Sequence, residues 1–287
     1  MRKIYITLLL CCFSMVGAWA QSRVLESLEF QSKLMGTTVK YSVYLPDGYE
    51  HSTRKYPTLY LLHGWSDNET SWIQMGNMQP IADEAIRSGK SVDMVIVMPD
   101  AGDTWYVNSY DGKAPYEDMF FEELIPYMEK TYRLRTESEY RAVAGLSMGG
   151  YGALLYSLHH PECFSACAPL SAAVYSEEVI NRTMQSVRGT LFQKLYGKNV
   201  ITDHWFKNSV LDLLDKADEK VLSRVRFYID CGDDDTLLDC SYAVHQKMIH
   251  KKIKHEFRVR DGYHSWTYWR TALPSVLEFV SGRFKRS

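Results

Sequence analysis

Ser147 stands in the run Gly145-Leu146-Ser147-Met148-Gly149-Gly150. A serine hydroxyl attacks an acyl carbon when a turn holds it exposed and a base removes its proton. The flanks of Ser147 suit the first demand. Tyr140 to Ala144 reads as a buried strand, and Tyr151 to Leu158 reads as a helix that ends at His159-His160-Pro161. Strand, tight turn and helix, with the serine at the turn, is the context of a nucleophile elbow. Small residues two before and two after the serine let the backbone fold back on itself. Gly149, Gly150 and Gly152 let the helix start close against the strand. The pentapeptide alone is weak, and a bystander serine in a glycine-rich turn is the bland alternative. The flanking pattern carries the reading.

Such a serine needs a general base and an acid that orients the base, and in elbow-type enzymes the chain order is serine, acid, histidine. Seven histidines follow Ser147. His159 and His160 end the elbow helix and read as capping residues. His204 falls in an irregular region, His245 and His250 on a helix, and His255 at the wrong end of the last strand. His264 lies just past that strand, in Asp261-Gly262-Tyr263-His264-Ser265-Trp266. It is the expected base. The acid should follow the preceding strand, where Asp230, Asp233, Asp234 and Asp235 are all candidates. Asp235 also reads as a helix N-cap ahead of Thr236-Leu237-Leu238. A tetrahedral intermediate needs two backbone N–H donors. Met148, after the nucleophile, is one. Trp65, in the loop His63-Gly64-Trp65, is the other, with Gly64 permitting the twist that aims its amide inward. His63 reads as a structural turn residue.

These groups need a frame. Val24 to Phe30 and Val39 to Leu45 read as an antiparallel opening pair, the second stopped by Pro46. Thr58 to Leu62, Met94 to Met98, Arg141 to Gly145, Ser165 to Leu170, Val225 to Asp230 and Glu256 to Arg260 read as further strands. Glu117 to Lys130, Thr236 to Lys251 and Trp266 to Phe279 read as helices, with Pro274 a place for a kink or a division in the last. Alternation of this kind implies an α/β fold with a mostly parallel sheet covered on both faces. Ligands bind at the C-terminal ends of such strands. Residues 171–208 lack a clean period and are the expected insertion, a lid or wall on a single domain over residues 21–287.

The chain has 287 residues, 46% hydrophobic and 24% charged, a composition that fills one large core. Residues 1–20 read as a signal peptide: Arg2 and Lys3 are basic, Ile4 to Val16 is mostly apolar, and Ala18-Trp19-Ala20 fits cleavage before Gln21. Losing Arg2 and Lys3 moves the formal charge from −2 to −4. No basic stripe appears, so nucleic acid is not an expected partner, and neither is stable membrane association. The apolar run is short for a membrane span. Cys163, Cys167, Cys231 and Cys240 have no zinc-ligand spacing and read first as core residues, second as bridges.

Six segments together resemble the esterase D branch of the α/β-hydrolases. They are Leu61-Leu62-His63-Gly64, Met98-Pro99-Asp100, Trp105-Tyr106, the Ser147 run, Asp230-Cys231-Gly232-Asp233-Asp234-Asp235 and Gly262-Tyr263-His264-Ser265-Trp266. That branch includes feruloyl and acetylxylan esterases, S-formylglutathione hydrolase, tributyrin esterases and the mycolyltransferase antigens. The resemblance implies a three-layer α/β-hydrolase sandwich with a mostly parallel central sheet. Its Gly-x-x-Asp pattern, applied from Gly232, points to Asp235 as the acid, with Asp234 as the neighbouring alternative. It also implies Trp65 and Met148 as the oxyanion donors and no cofactor or metal. The activity it implies is that of an exported serine carboxylesterase cleaving feruloyl (hydroxycinnamoyl) esters of plant cell-wall polysaccharide. An acetylxylan or other short-acyl esterase and an acyltransferase are the alternatives. A flat cinnamoyl group stacks on aromatic rings, and Trp72, Trp105, Trp205 and Trp266 are the candidates to hold it.

Overall fold

A computed structural model describes residues 21–184 and 189–284. The leader expected over residues 1–20 lies outside the described residues. Eight strands form one sheet: β1 (Arg23–Ser32), β2 (Thr37–Leu45), β3 (Thr58–Leu62), β4 (Val95–Pro99), β5 (Arg141–Leu146), β6 (Ala166–Leu170), β7 (Arg226–Gly232) and β8 (His255–Arg260). Their spatial order is β1-β2-β4-β3-β5-β6-β7-β8. β1 pairs antiparallel with β2, and β2 antiparallel with β4. From β4 to β8 every pairing is parallel. This is the α/β-hydrolase fold.

The burial patterns explain the arrangement. Every residue of β3, β4, β5 and β6 is buried. A strand apolar on both faces must be covered on both faces. Side chains alternate between them. Tyr60 and Leu62 point to the face carrying Phe120, Leu154 and Val244, on the helices that cover it. Leu59 and Leu61 point to the opposite face, against Ala82 and Ala85 of the helix Met78–Arg87 and against Leu273, Val276 and Leu277 of the helix Trp266–Ser281.

The helix expected over Glu117 to Lys130 is present as three joined pieces, Tyr116–Met119, a wider π-type turn at Phe120–Leu124, and Ile125–Thr131. Pro274 does not divide the last helix, which runs unbroken from Trp266 to Ser281. Met78–Arg87 was not anticipated, because Gln, Pro, Asp and Glu interrupt its short apolar stripe. The described part of residues 171–208 is not irregular. It forms helices at Glu177–Thr183, Gly189–Tyr196 and Asp203–Asn208. Each is only one or two turns long, too short for a helical period to register. The ring of Phe192 lies 5.0 Å from Trp105, and that of Trp205 lies 5.1 Å from Tyr196. Cys163, Cys167, Cys231 and Cys240 are free thiols.

Candidate active site

β5 delivers Ser147 to the C-terminal edge of the sheet. The turn there is tight: Ser147 has φ 53° and ψ −114°, and the helix Met148–His159 starts at the next residue. A non-glycine residue at positive φ is held by its surroundings rather than by its own preference. Three bonds hold this one. Ser147 N–H donates to Leu170 O at 2.9 Å, and Ser147 O accepts from Tyr151 N–H and Ala173 N–H, each at 3.0 Å. The flanking glycines are needed for close approach. A Cβ on Gly149 would sit 2.5 Å from Leu62 O and 2.6 Å from His63 O.

β7 and β8 deliver two more groups to the same edge. His264 Nε2 lies 3.0 Å from Ser147 Oγ, and His264 Nδ1 lies 2.9 and 3.0 Å from the two oxygens of Asp235. Asp235 follows β7 and is buried, and its Oδ1 also accepts from Leu237 N–H at 2.8 Å. Burial raises the affinity of its carboxyl for a proton. The bonds from His264 and the Leu237 amide outweigh burial and hold the carboxyl below its ordinary value. Asp234 and Asp233 are exposed, and Asp233 instead accepts from Gly262 N–H at 3.0 Å. Asp230 is fully buried and lies near the C-terminal end of β7. It accepts from Tyr228 OH at 2.7 Å and from Tyr268 OH, and pairs with Arg260 Nη1 at 3.1 Å. It therefore braces the base of the His264 loop. Trp269 packs its ring edge against the His264 imidazole at 4.9 Å, and its indole N–H donates to Ser171 Oγ at 3.1 Å.

The loop after β3 lies beside Ser147. A Cβ on Gly64 would stand 3.7 Å from Ser147 Cβ and 2.6 Å from Leu146 Cδ1. His63 is buried and fastens this loop. Its Nδ1–H donates to Gly64 O and its Nε2 accepts from Ala101 N–H, both at 2.8 Å. Tyr106 OH donates to His63 O at 2.9 Å. Trp65 thus stands next to Ser147, while Met148 opens the elbow helix, where the first amides have no helical partner.

A cavity of about 340 Å³ opens over Ser147 and His264, walled by Trp65, Trp105, Tyr175, Trp266 and Trp269. Trp105 and Tyr106 have φ 53° and 61°, a paired left-handed turn that places one ring in the cavity and the other beneath the His63 loop. Of the four tryptophans expected to meet substrate, Trp105 and Trp266 line this cavity. Trp72 does not. It is fully buried, and its indole N–H donates to Leu62 O at 3.0 Å. Trp205 is buried away from Ser147, against Tyr196. Within residues 171–208, Tyr175 is the described residue that reaches the cavity.

Trp269 and Asp67 are among the lining residues that sequence reasoning did not single out. Trp269 sits one helical turn beyond the His264 loop and looks like core. Asp67 resembles an ordinary turn residue, yet its carboxylate lines the cavity and accepts from Gly64 N–H at 3.2 Å. Burial pushes its carboxyl above the ordinary value.

The esterase family model, described as "Putative esterase", matches residues 32–280. The chain belongs to this esterase family. A solved ferulic acid esterase is 35% identical, with a TM-score of 0.81 over 92% of this chain and 99% of that one. An endo-1,4-beta-xylanase/feruloyl esterase of Xylanibacter ruminicola is 35% identical over 163 residues, 54% of this esterase. That match spans only 22% of the relative's length. An acetyl esterase of Caldicellulosiruptor saccharolyticus is 22% identical over 78% of this esterase and 83% of the relative. This esterase is thus of the feruloyl-esterase-like type. Among its described residues no helix is long and apolar enough to cross a membrane.

Proposed function

We propose that Ser147, His264 and Asp235 are the catalytic triad of a carboxylic-ester hydrolase acting on hydroxycinnamoyl esters of plant cell-wall polysaccharide. The observation that carries it is the chain of contacts from Asp235 through both nitrogens of His264 to Ser147 Oγ. Asp235 holds the proton on Nδ1, which leaves Nε2 free to accept the serine proton. Ser147 Oγ attacks the ester carbonyl carbon as His264 takes its proton. The Trp65 and Met148 amides stabilise the oxyanion. As the C–O bond breaks, His264 protonates the leaving alcohol. It then takes a proton from water, whose oxygen attacks the acyl carbon, and as the bond from that carbon to Ser147 Oγ breaks, His264 returns the proton to the serine and the acid leaves. Asp67, held at Gly64, keeps the Trp65 loop in shape.

The acyl preference rests on the cavity walls. Trp105, Tyr175, Trp266 and Trp269 offer flat apolar faces, which suit a planar aromatic acid. The names of the 35%-identical relatives support the same choice. The acetyl esterase relative supports short acyl groups as the second reading. We further propose export, with residues 1–20 removed, and a single folded unit over residues 21–287 to which the segment after β6 contributes Tyr175 as a cavity wall. A fluorophosphonate probe should attach at Ser147, read by peptide mass. Hydrolysis rates on methyl ferulate and on acetylated xylan then decide the acyl group. Faster release from acetylated xylan would replace the hydroxycinnamoyl reading, and accumulation of a transfer product with added alcohol would replace hydrolysis.

A further inference from the structure

At the far end of the elbow helix, about 18 Å from Ser147 at 1.5 Å per residue over its twelve residues, three side chains converge that the esterase chemistry does not use. We propose that Glu117, His159 and His160 form a binding site for one divalent cation of the zinc class.

The convergence has a local cause. Neighbouring residues within an α-helix diverge by 100° around its axis, so two consecutive histidines inside one do not share a ligand. Here the helix stops between them. His160 is the C-cap, at φ −126° and ψ 56°, and this turns its ring back beside that of His159. Glu117 comes from the helix packed alongside. Its Oε1 lies 2.7 Å from His159 Nδ1 and 3.1 Å from His160 Nε2, and the three donor atoms all fall within 4.8 Å of one another. Around a tetrahedral zinc with bonds of about 2.0–2.1 Å, donors stand about 3.3 Å apart. The two contacts to Glu117 need to lengthen by only about half an ångström or less to reach that spacing.

The surroundings fit a metal as well. A histidine ligand normally passes its other ring nitrogen to a carbonyl or carboxylate, which fixes the tautomer. His159 does so, with Nε2 2.8 Å from Lys207 O, while the Glu162 carboxylate stands near the other nitrogen of His160, outside hydrogen-bond distance at 3.7 Å. The Phe121 ring, 3.8 Å from the His160 ring, fixes its plane. Glu117 is buried, whereas the side chain of His160 is 33% exposed, which leaves one side open for entry and for water as a fourth ligand. A cation here also faces the negative end of the elbow helix. Two imidazoles and one carboxylate favour zinc and its neighbours over calcium or magnesium. The ion would fasten the elbow helix to the helices Tyr116–Met119 and Asp203–Asn208.

The test uses the full chain, stripped with a chelator, dialysed, and titrated calorimetrically with zinc chloride and separately with calcium chloride. One zinc per chain is expected, bound at least 100-fold more tightly than calcium, with a rise in thermal midpoint. His160→Asn and Glu117→Gln should each weaken zinc at least tenfold, with circular dichroism confirming the fold. His160→Asn is the safer variant because its ring is partly exposed. His264→Ala should leave zinc binding intact. Absence of stoichiometric binding overturns the proposal. So does binding that survives both ligand variants, and so does binding that disappears in His264→Ala.

Discussion

His264 Nε2 and Ser147 Oγ lie 3.0 Å apart although 117 residues separate them in the chain. Two strand ends of one sheet bring them together. Replacing Ser147 with Ala removes the attacking oxygen and leaves the frame intact. We expect kcat on a nitrophenyl ester to fall about 10⁴-fold or more, with an unchanged circular dichroism spectrum. Activity within tenfold of the parent would dismiss Ser147 as the nucleophile.

Asp235 gives a pH signature. Its carboxyl is held below the ordinary value in the fold, so the folded state favours the carboxylate. That contribution is complete above the unfolded value of about 3.9 and is lost as pH falls through the lower folded value. The parent should therefore exceed Asp235→Asn in stability at pH 6, and the gap should narrow below about pH 4. Urea midpoints across this range measure it. The same variant should lose about 10³- to 10⁴-fold in kcat, because an amide favours the wrong imidazole tautomer. A gap that is constant with pH would contradict the assignment.

The brace beneath His264 makes a separate prediction. Tyr268 OH donates to the fully buried Asp230, so Tyr268→Phe removes one bond to a buried charge. A loss of about 2 kcal/mol is expected from chemical denaturation. Catalysis should fall as well, chiefly in kcat, because the loop carrying His264 starts at this brace.

Gly149→Ala tests the elbow itself. The added methyl meets two carbonyl oxygens of the β3 loop, and backbone cannot rotate away as a side chain can. We expect a cost of about 2 kcal/mol or more. Ester turnover should fall with it, since the displaced loop is the one that carries Trp65. Unaltered thermal midpoint and turnover would show that the loop yields freely.

The tryptophan wall predicts selectivity. Trp266 lines the cavity and packs edge-on against Trp72 at 5.2 Å and Trp269 at 5.3 Å. Trp266→Ala should lower kcat/KM for methyl ferulate about tenfold, the equivalent of one aromatic contact. Nitrophenyl acetate should change less than twofold. Equal losses on both substrates would mean that Trp266 serves the fold and not the acyl group.

The central parallel strands β3 to β6 were legible because each is a short, wholly buried run bounded by turn residues, whereas β8, at the sheet edge, is mostly polar. The positions of Ser147 and His264 could be proposed because Ser147 directly follows β5 and His264 lies in the short loop after β8. Asp235 could not be separated from its neighbours by spacing, since Asp230, Asp233 and Asp234 sit on the same strand end. The family's Gly-x-x-Asp pattern pointed to Asp235, and the physical distinction is side-chain direction, which depends on Gly262 and Tyr268 from another part of the chain. Trp72 and Trp205 show the same limit. An indole in the core and an indole in a cavity wall look alike in sequence. The helices between residues 171 and 208 were illegible because one or two turns cannot display a period.

The backbone at Ser147 also narrows what chemistry this scaffold accepts. A side chain forked at its β-carbon collides with its own main chain at φ 53°. Threonine is therefore a poor replacement at position 147 despite carrying the same hydroxyl. Cysteine, unbranched and only slightly larger, fits the same bend, so a route from oxygen ester chemistry to thioester chemistry stays open here by a single exchange of atom.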